Sequence, residues 1–210
     1  MHLVLASSSP RRAEILDALG IPFTVSPADV DETVLPGETG RSAASRLAAE
    51  KAAAAAIRHP RDWVLAADTL VLLDGTVLGK PRDDGEAAEM LRKLSGREHR
   101  VVTAVRLSRG GIGREEVEES RVRIAPFDEE EIRWYVSTGE PRDKAGAYAV
   151  QGLGARFIES VEGSFTNVMG LPARSVYRLL RGAPDPDLAR LALASASASS
   201  RTSGYPPRRV

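Results

Sequence analysis

Residues 63–78 read WVLAADTLVLLDGTVL, and they decide the fold class. Trp63–Leu73 is a long apolar run of strand type, interrupted by Asp68, with Thr69 beside it an ordinary β-branched strand residue. Asp74-Gly75 then gives a strong hairpin signal into a short returning strand, Thr76–Leu78. Upstream, Leu3–Ala6 and Phe23–Val25 are short strands. Pro10–Gly20, with Ile15, Leu16 and Leu19 at helical spacing, and the alanine-rich Arg41–Arg58 are helices. Downstream, Asp84–Leu94 is a helix with Ala87, Met90, Leu91 and Leu94 facing inward. Arg100–Ser108 and Glu115–Ile124 alternate as paired strands about Gly110-Gly111. Phe127–Val136 is a helix capped by Asp128, Arg156–Val161 a strand, and Pro172–Leu180 the last helix. Strands that alternate with helices, two of them in a hairpin, imply an α/β architecture with a mixed sheet.

The 210 residues suffice for one domain or for two lobes sharing a sheet. Residues 1–182 form that domain. From Gly182 the composition turns to APDPD and then ASASASSRTSGYPPRRV, so 183–210 reads as a tail. Its last fifteen or so residues are expected to be disordered. Lys+Arg and Asp+Glu both number 29, so no net charge points to nucleic acid or to a polycation. The absence of cysteine excludes disulfides, thiolate catalysis and cysteine-ligated zinc. His2, His59 and His99 are scattered without ligand spacing, so any metal would be a hard cation held by oxygen. The start MHLVLA is too short for a signal peptide, and no run reaches membrane-spanning length. The chain reads as cytoplasmic.

Two features carry chemistry. Asp68 breaks an apolar strand, where a carboxylate is costly unless hydrogen-bonded, paired or bound to a metal. A structural aspartate bonded to nearby backbone is the alternative, weakened because a central strand satisfies its own backbone. The second feature is SSSPRR, residues 7–12. With Ser9 as N-cap and Pro10 first in the helix, Arg11 and Arg12 fall in the first turn, which the helix dipole disfavours for cations. Either both point into water, or an anion sits there among helix amides, serine hydroxyls and guanidinium forks.

Other charges add to this inventory. Asp29, Asp31 and Glu32 in ADVDET are ordinary turn acids unless Asp68 needs a second carboxylate for a divalent cation. Lys51, Lys80 in LGKP, and Arg142 and Lys144 in the glycine-rich stretch TGEPRDKAGAYAVQGLG would each be a solvated charge alone. That stretch is long for a connection, which suits a functional loop. Together, serine and arginine at a helix start, carboxylates for Mg²⁺ or Mn²⁺ and several lysines fit phosphoryl chemistry. No GxxxxGK[ST] or GxGxxG motif is present.

LASSSPRR, ADT, GKP, DKAGAYAVQG and EGSFTNVMGLP occur in the order and spacing of the Maf proteins, and the chain resembles that family from Leu3 to about Leu180. The resemblance implies a fold related to the inosine triphosphate pyrophosphatases, with two lobes around a cleft. It also implies hydrolysis of a nucleoside triphosphate between the α and β phosphates with a divalent cation, Mg²⁺, Mn²⁺ or Co²⁺. By matching position, Asp68 is the catalytic acid residue, sharing the metal with Glu32. Ser7, Ser9, Arg11, Lys51, Lys80 and Lys144 are phosphate contacts. Arg12, Thr69 and Gln151 resemble the branch that prefers dTTP and UTP, with modified pyrimidine triphosphates as further candidates. A homodimer is expected from the resemblance alone. Ala104 and Phe165 depart from the family, which often has glycine and tyrosine there; Phe165 lacks a hydroxyl that could bear on the base or sugar.

Two rival readings remain. The sister branch acts on 7-methyl-GTP and differs around Thr69 and Gln151. A non-catalytic regulator of septum formation would bind a division partner, but it would not need a costly strand carboxylate.

Overall fold

The computed structural model describes residues 2–193. The chain runs β1 (Leu3–Leu5), α1 (Pro10–Ala18), β2 (Thr24–Val25), α2 (Gly40–Arg58), β3 (Trp63–Leu73), β4 (Thr76–Leu78) and α3 (Asp84–Leu94). It continues with β5 (Glu98–Arg109), β6 (Ile112–Ile124), α4 (Glu129–Ser137), β7 (Ile158–Glu162), α5 (Phe165–Val168), α6 (Ala173–Arg181) and α7 (Pro186–Leu191). Short 3-10 turns break up the stretch between α4 and β7. Seven strands make one sheet in the order β2-β1-β3-β5-β6-β7, with β4 folded back on β3. β1 is parallel to β2 and β3, whereas β3, β5, β6 and β7 pair antiparallel in turn. The mixed α/β sheet expected from the hairpin is what forms.

β3 is central, and its pleat sends successive side chains to opposite faces. Val64 and Ala66 meet Ala52 and Ala55 of α2, while Leu70 and Leu72 meet Ala43, Ala44 and Ala48 of the same helix. Small side chains let α2 lie close: a Cβ on Gly40 would stand 2.5 Å from Leu72 Cδ1. The other face is covered by two separate packs. Trp63, Leu65 and Ala67 join Ile15 and Leu16 of α1 and Val176 and Leu179 of α6. Val71 and Leu73 join Met90 and Leu91 of α3 and Tyr135 of α4. Thr69 lies on the strand between Ala67 of one pack and Val71 of the other, at the seam where Met169 touches both. Asp68, one residue earlier, faces α2.

The structure corrects the reading of the C-terminal part. α6 is not the last helix, and residues beyond Ala183 do join the core. Leu188 of α7 is fully buried in the α1/α6 pack. Asp185 caps α7 by accepting from the Asp187 and Leu188 amides, accepts from Trp63 Nε1 at 3.1 Å, and pairs with Arg109 at 2.9 Å. Pro186 is tolerated because it occupies the first helical turn. One leucine and one capping aspartate sufficed, in a segment whose proline content masked them. Residues 194–210, which carry the disorder expectation, lie outside the described residues. Among the described residues, no helix is long and apolar enough to cross a membrane.

Candidate active site

The seam at Thr69 opens into a cleft of about 620 Å³. Ser7, Ser9, Arg11, Arg12, Glu32, Lys51, Asp68, Thr69, Lys80, Lys144 and Gln151 all line it. Eleven positions singled out in the sequence, from seven elements or loops, thus converge on one cavity. The lining holds the five cations among them against the carboxylates Glu32, Asp68 and Asp143. That balance favours an anionic ligand. Val34, Leu47, Val71, Val77 and Val101 supply apolar wall.

Asp68 is buried, and its solution to that burial is an ion pair. Lys51 Nζ, itself buried on α2, donates to Asp68 Oδ1 at 2.5 Å and to Glu32 Oε1 at 2.6 Å. Lys80 Nζ then reaches Glu32 Oε2 at 3.2 Å. The result is a charge ladder, Asp68–Lys51–Glu32–Lys80. Partial burial pushes the Glu32 carboxyl up, but Lys51 and Lys80 outweigh it and hold the group below the usual carboxylate range. Ala104 stands opposite Asp68 in the β3/β5 register and leaves this face uncrowded.

The two arginines of SSSPRR part company, as residues about 100° apart on a helix must. Arg12 is buried: Nε donates to the Gly170 carbonyl at 2.8 Å, and its terminal nitrogens donate to Ser7 Oγ at 3.1 Å and Thr69 Oγ1 at 3.2 Å. Burial lowers its pKa, while Asp68 and Glu32 oppose the shift; a guanidinium stays charged regardless. Thr69 Oγ1 is held in turn by Thr103 Oγ1 at 2.9 Å. Arg11 is part-exposed and pairs across the cleft with Asp143 Oδ2 at 3.6 Å. Ser9 is the N-cap of α1 by backbone geometry, yet its side chain makes no capping bond. The first-turn amides of α1 are thus left without a side-chain cap, which suits an anion.

Not every residue considered in the sequence reaches the cleft. Asp31 closes its own turn on Thr33, and Asp29 is not in the lining. Arg142 is exposed and forks onto Asp84 of α3. Phe165, 47% exposed at the start of α5, is also outside the lining, so its missing hydroxyl does not bear on the cavity. Sequence reasoning missed Asp143, Tyr148 and Gly170, which do line the cleft. The neighbour relation Asp143-Lys144 was visible; the contact of Asp143 with Arg11, 132 positions earlier, was not.

Whether this donor set suits a divalent cation follows from its chemistry. Glu32 and Asp68 are hard oxygen donors close enough to share one ammonium. Among the described residues, no group of three or more His, Cys, Asp or Glu side chains gathers to cage a metal alone. One or two carboxylates completed by phosphate oxygens is a site of the Mg²⁺ type. The residues fit a cation that arrives with a phosphorylated ligand.

Fold and cleft together define an α/β protein with a cation-rich cleft beside a buried carboxylate. The chain belongs to the Maf-like protein family, whose model matches residues 2–183. A protein of Anaeromyxobacter dehalogenans strain 2CP-1, named dTTP/UTP pyrophosphatase, is 53% identical over 189 residues, covering 88% of this chain and 95% of that protein. Relatives with the same name occur in Symbiobacterium thermophilum, 50% identical over 85% of this chain and 92% of that one, and in Myxococcus xanthus, 52% identical over 86% and 92%. A solved structure of the Staphylococcus aureus Ham1 protein aligns with a TM-score of 0.43 and 21% identity over 60% of this chain and 72% of that one.

Proposed function

We propose that this chain hydrolyses dTTP and UTP to the monophosphate and pyrophosphate. The observation that carries the proposal is the charge ladder Asp68–Lys51–Glu32–Lys80 sharing one cleft with the buried Arg12 clamp. Relatives at about half identity that bear the name dTTP/UTP pyrophosphatase support the choice of substrate. In this reading Asp68 orients the attacking water and accepts its proton. The water oxygen bonds to the α phosphorus, and the bond from that phosphorus to the α–β bridging oxygen breaks, so pyrophosphate leaves with the electron pair. Arg11, Lys51, Lys80 and Lys144, with the hydroxyls of Ser7 and Ser9, neutralise the charge that spreads over the phosphates.

Glu32 and Asp68 would hold the divalent cation, with Lys51 then free to contact phosphate. When bound, the cation supplies charge neutralisation on the triphosphate and promotes ionisation of water. Arg12, Thr69 and Gln151 select the base. Three of the five N–H donors of Arg12 are engaged within the protein, which leaves two for a ligand. A cytoplasmic site of action, where nucleotide pools lie, and a homodimer complete the proposal.

The test is pyrophosphate release over dTTP, UTP, CTP, GTP, 7-methyl-GTP and modified pyrimidine triphosphates with Mg²⁺, Mn²⁺ and Co²⁺. The expected outcome is preference for dTTP and UTP, with turnover in Asp68→Asn lowered ~10²–10⁴-fold. Preference for 7-methyl-GTP, or undiminished turnover in a folded Asp68→Asn protein, overturns the assignment.

A further inference from the structure

The loop that brings Lys144, Tyr148 and Gln151 to the cleft has little regular structure of its own. A loop of that kind needs external anchors to hold cleft residues in register. The anchors converge on two side chains that do not line the cavity, Tyr135 of α4 and Glu140 just beyond it. Tyr135 is fully buried, edge-on to Phe157, and its hydroxyl donates to Glu140 Oε1 at 2.8 Å. The same hydroxyl accepts from the Ala149 amide at 3.1 Å. Glu140 Oε1 also accepts from the Gly154 amide at 2.9 Å, and Oε2 accepts from the Leu153 amide at 3.0 Å. The Glu140 carbonyl accepts from Lys144 Nζ at 2.6 Å.

The side-chain bonds grip the loop on both sides of Gln151, at Ala149 and at Leu153–Gly154, whereas the Lys144 ammonium is held by the Glu140 backbone carbonyl and by Asp143. Gly152 shows how close the grip is: its φ is +73°, and a Cβ there would stand 2.5 Å from Glu140 Oε2. Partial burial pushes the Glu140 carboxyl up, but the Leu153 and Gly154 amides, Tyr135 and Lys144 together hold it below its ordinary value. A carboxylate is therefore present at neutral pH to accept these bonds.

We propose that Tyr135 and Glu140 form a clasp that sets the position of the Ala149–Gly154 stretch around Gln151, making them positioning residues for base selection. The inference rests on the pyrimidine triphosphate reading for its kinetic consequence, but not for its structural one. Tyr135→Phe removes one oxygen and, with it, the bonds to both Glu140 and Ala149. Glu140→Gln keeps the size and replaces one acceptor oxygen by a donor amide that faces donors.

The experiment pairs two measurements on the full chain. The first is hydrogen exchange at the Ala149, Leu153 and Gly154 amides without nucleotide. The second is kcat/KM for dTTP and GTP. Phe157→Leu is the control, since it loosens the same aromatic packing without touching the clasp's hydrogen bonds. The clasp predicts faster exchange at Ala149 in Tyr135→Phe and at Leu153 and Gly154 in Glu140→Gln. It also predicts a kcat/KM for dTTP lowered about 10- to 100-fold in both, as ångström-scale misplacement of a positioning group does. The dTTP-to-GTP ratio should narrow in both variants and stay at the wild-type value in Phe157→Leu. Unchanged exchange at those amides in the variants overturns the clasp, and so does an equal narrowing in the control. If a variant does not fold, the other decides alone. A wild-type protein that ignores dTTP overturns the functional reading instead, while the exchange data still judge the clasp.

Discussion

Replacing Lys51 by methionine isolates the interaction on which the site is built. The Lys51 and Asp68 side chains are only 8% and 6% exposed, and their charged atoms lie 2.5 Å apart. Removing one partner of a buried pair leaves the other charge uncompensated and costs about 3–5 kcal/mol. The second partner of Lys51 changes this little, because Glu32 is 45% exposed and keeps Lys80 at 3.2 Å. Asp68→Asn alone should cost less, about 1–2 kcal/mol, since the Lys51 ammonium keeps Glu32 at 2.6 Å as its counter-charge and the asparagine oxygen still accepts from it. The double variant should then be more stable than Lys51→Met alone, because asparagine at 68 carries no charge to strand. Equilibrium urea unfolding of the four proteins in metal-free buffer gives the coupling directly. A Lys51→Met protein within about 1 kcal/mol of wild type, or a double variant that equals the sum of the singles, would refute the buried-pair argument.

The remaining predictions use the same structure. Arg11→Ala should weaken all triphosphates alike and cost less than about 1 kcal/mol of stability, because its one ion pair is long and part-exposed. Arg12→Ala should destabilise by about 1–3 kcal/mol, because it leaves the buried Gly170 carbonyl without its donor, and should also change the dTTP-to-GTP ratio of kcat/KM, since Thr69 loses one of its partners; equal kinetic losses for the two variants would contradict the division of labour. Leu188→Ala should cost about 2–5 kcal/mol in urea unfolding, and a neutral result would mean that α7 does not dock. Burial lowers the His99 pKa from 6.5 to about 4, so between those values the unfolded chain binds a proton that the native one does not. Its contribution is complete above about pH 6.5 and is lost as pH falls toward 4, up to about 3 kcal/mol. The urea midpoint of wild type should therefore fall more than that of His99→Phe on going from pH 7 to pH 4.5, and parallel curves would contradict the assignment.

Much of this was legible in the residues because local signals agreed. The long apolar run of β3 marked it as a buried strand, Gly110-Gly111 marked the β5/β6 hairpin, and Asp68 stood out as a charge where none should be free. What could not be read was which distant group would meet each charge. Lys51 lies in an alanine-rich helix, and nothing local separates it from a solvated lysine; only the packing of α2 on β3 brings it to Asp68. The opposite fates of Arg11 and Arg12 follow from helix geometry, but their partners, Asp143 and Gly170, come from loops far along the chain. Short elements were also hidden. α5 has four residues, and α7 has one buried leucine, too few for a periodic signal. Glu140 looked like any acid in a charged loop, because two of the three bonds to its carboxylate come from backbone amides, which carry no sequence signature.

The central claim is that water attacks the α phosphorus of a pyrimidine triphosphate in this cleft. The most direct measurement is hydrolysis of dTTP in ¹⁸O-labelled water, with mass analysis of both products. The account predicts dTMP carrying one ¹⁸O and unlabelled pyrophosphate. Label in the pyrophosphate, or release of orthophosphate with dTDP, would contradict it.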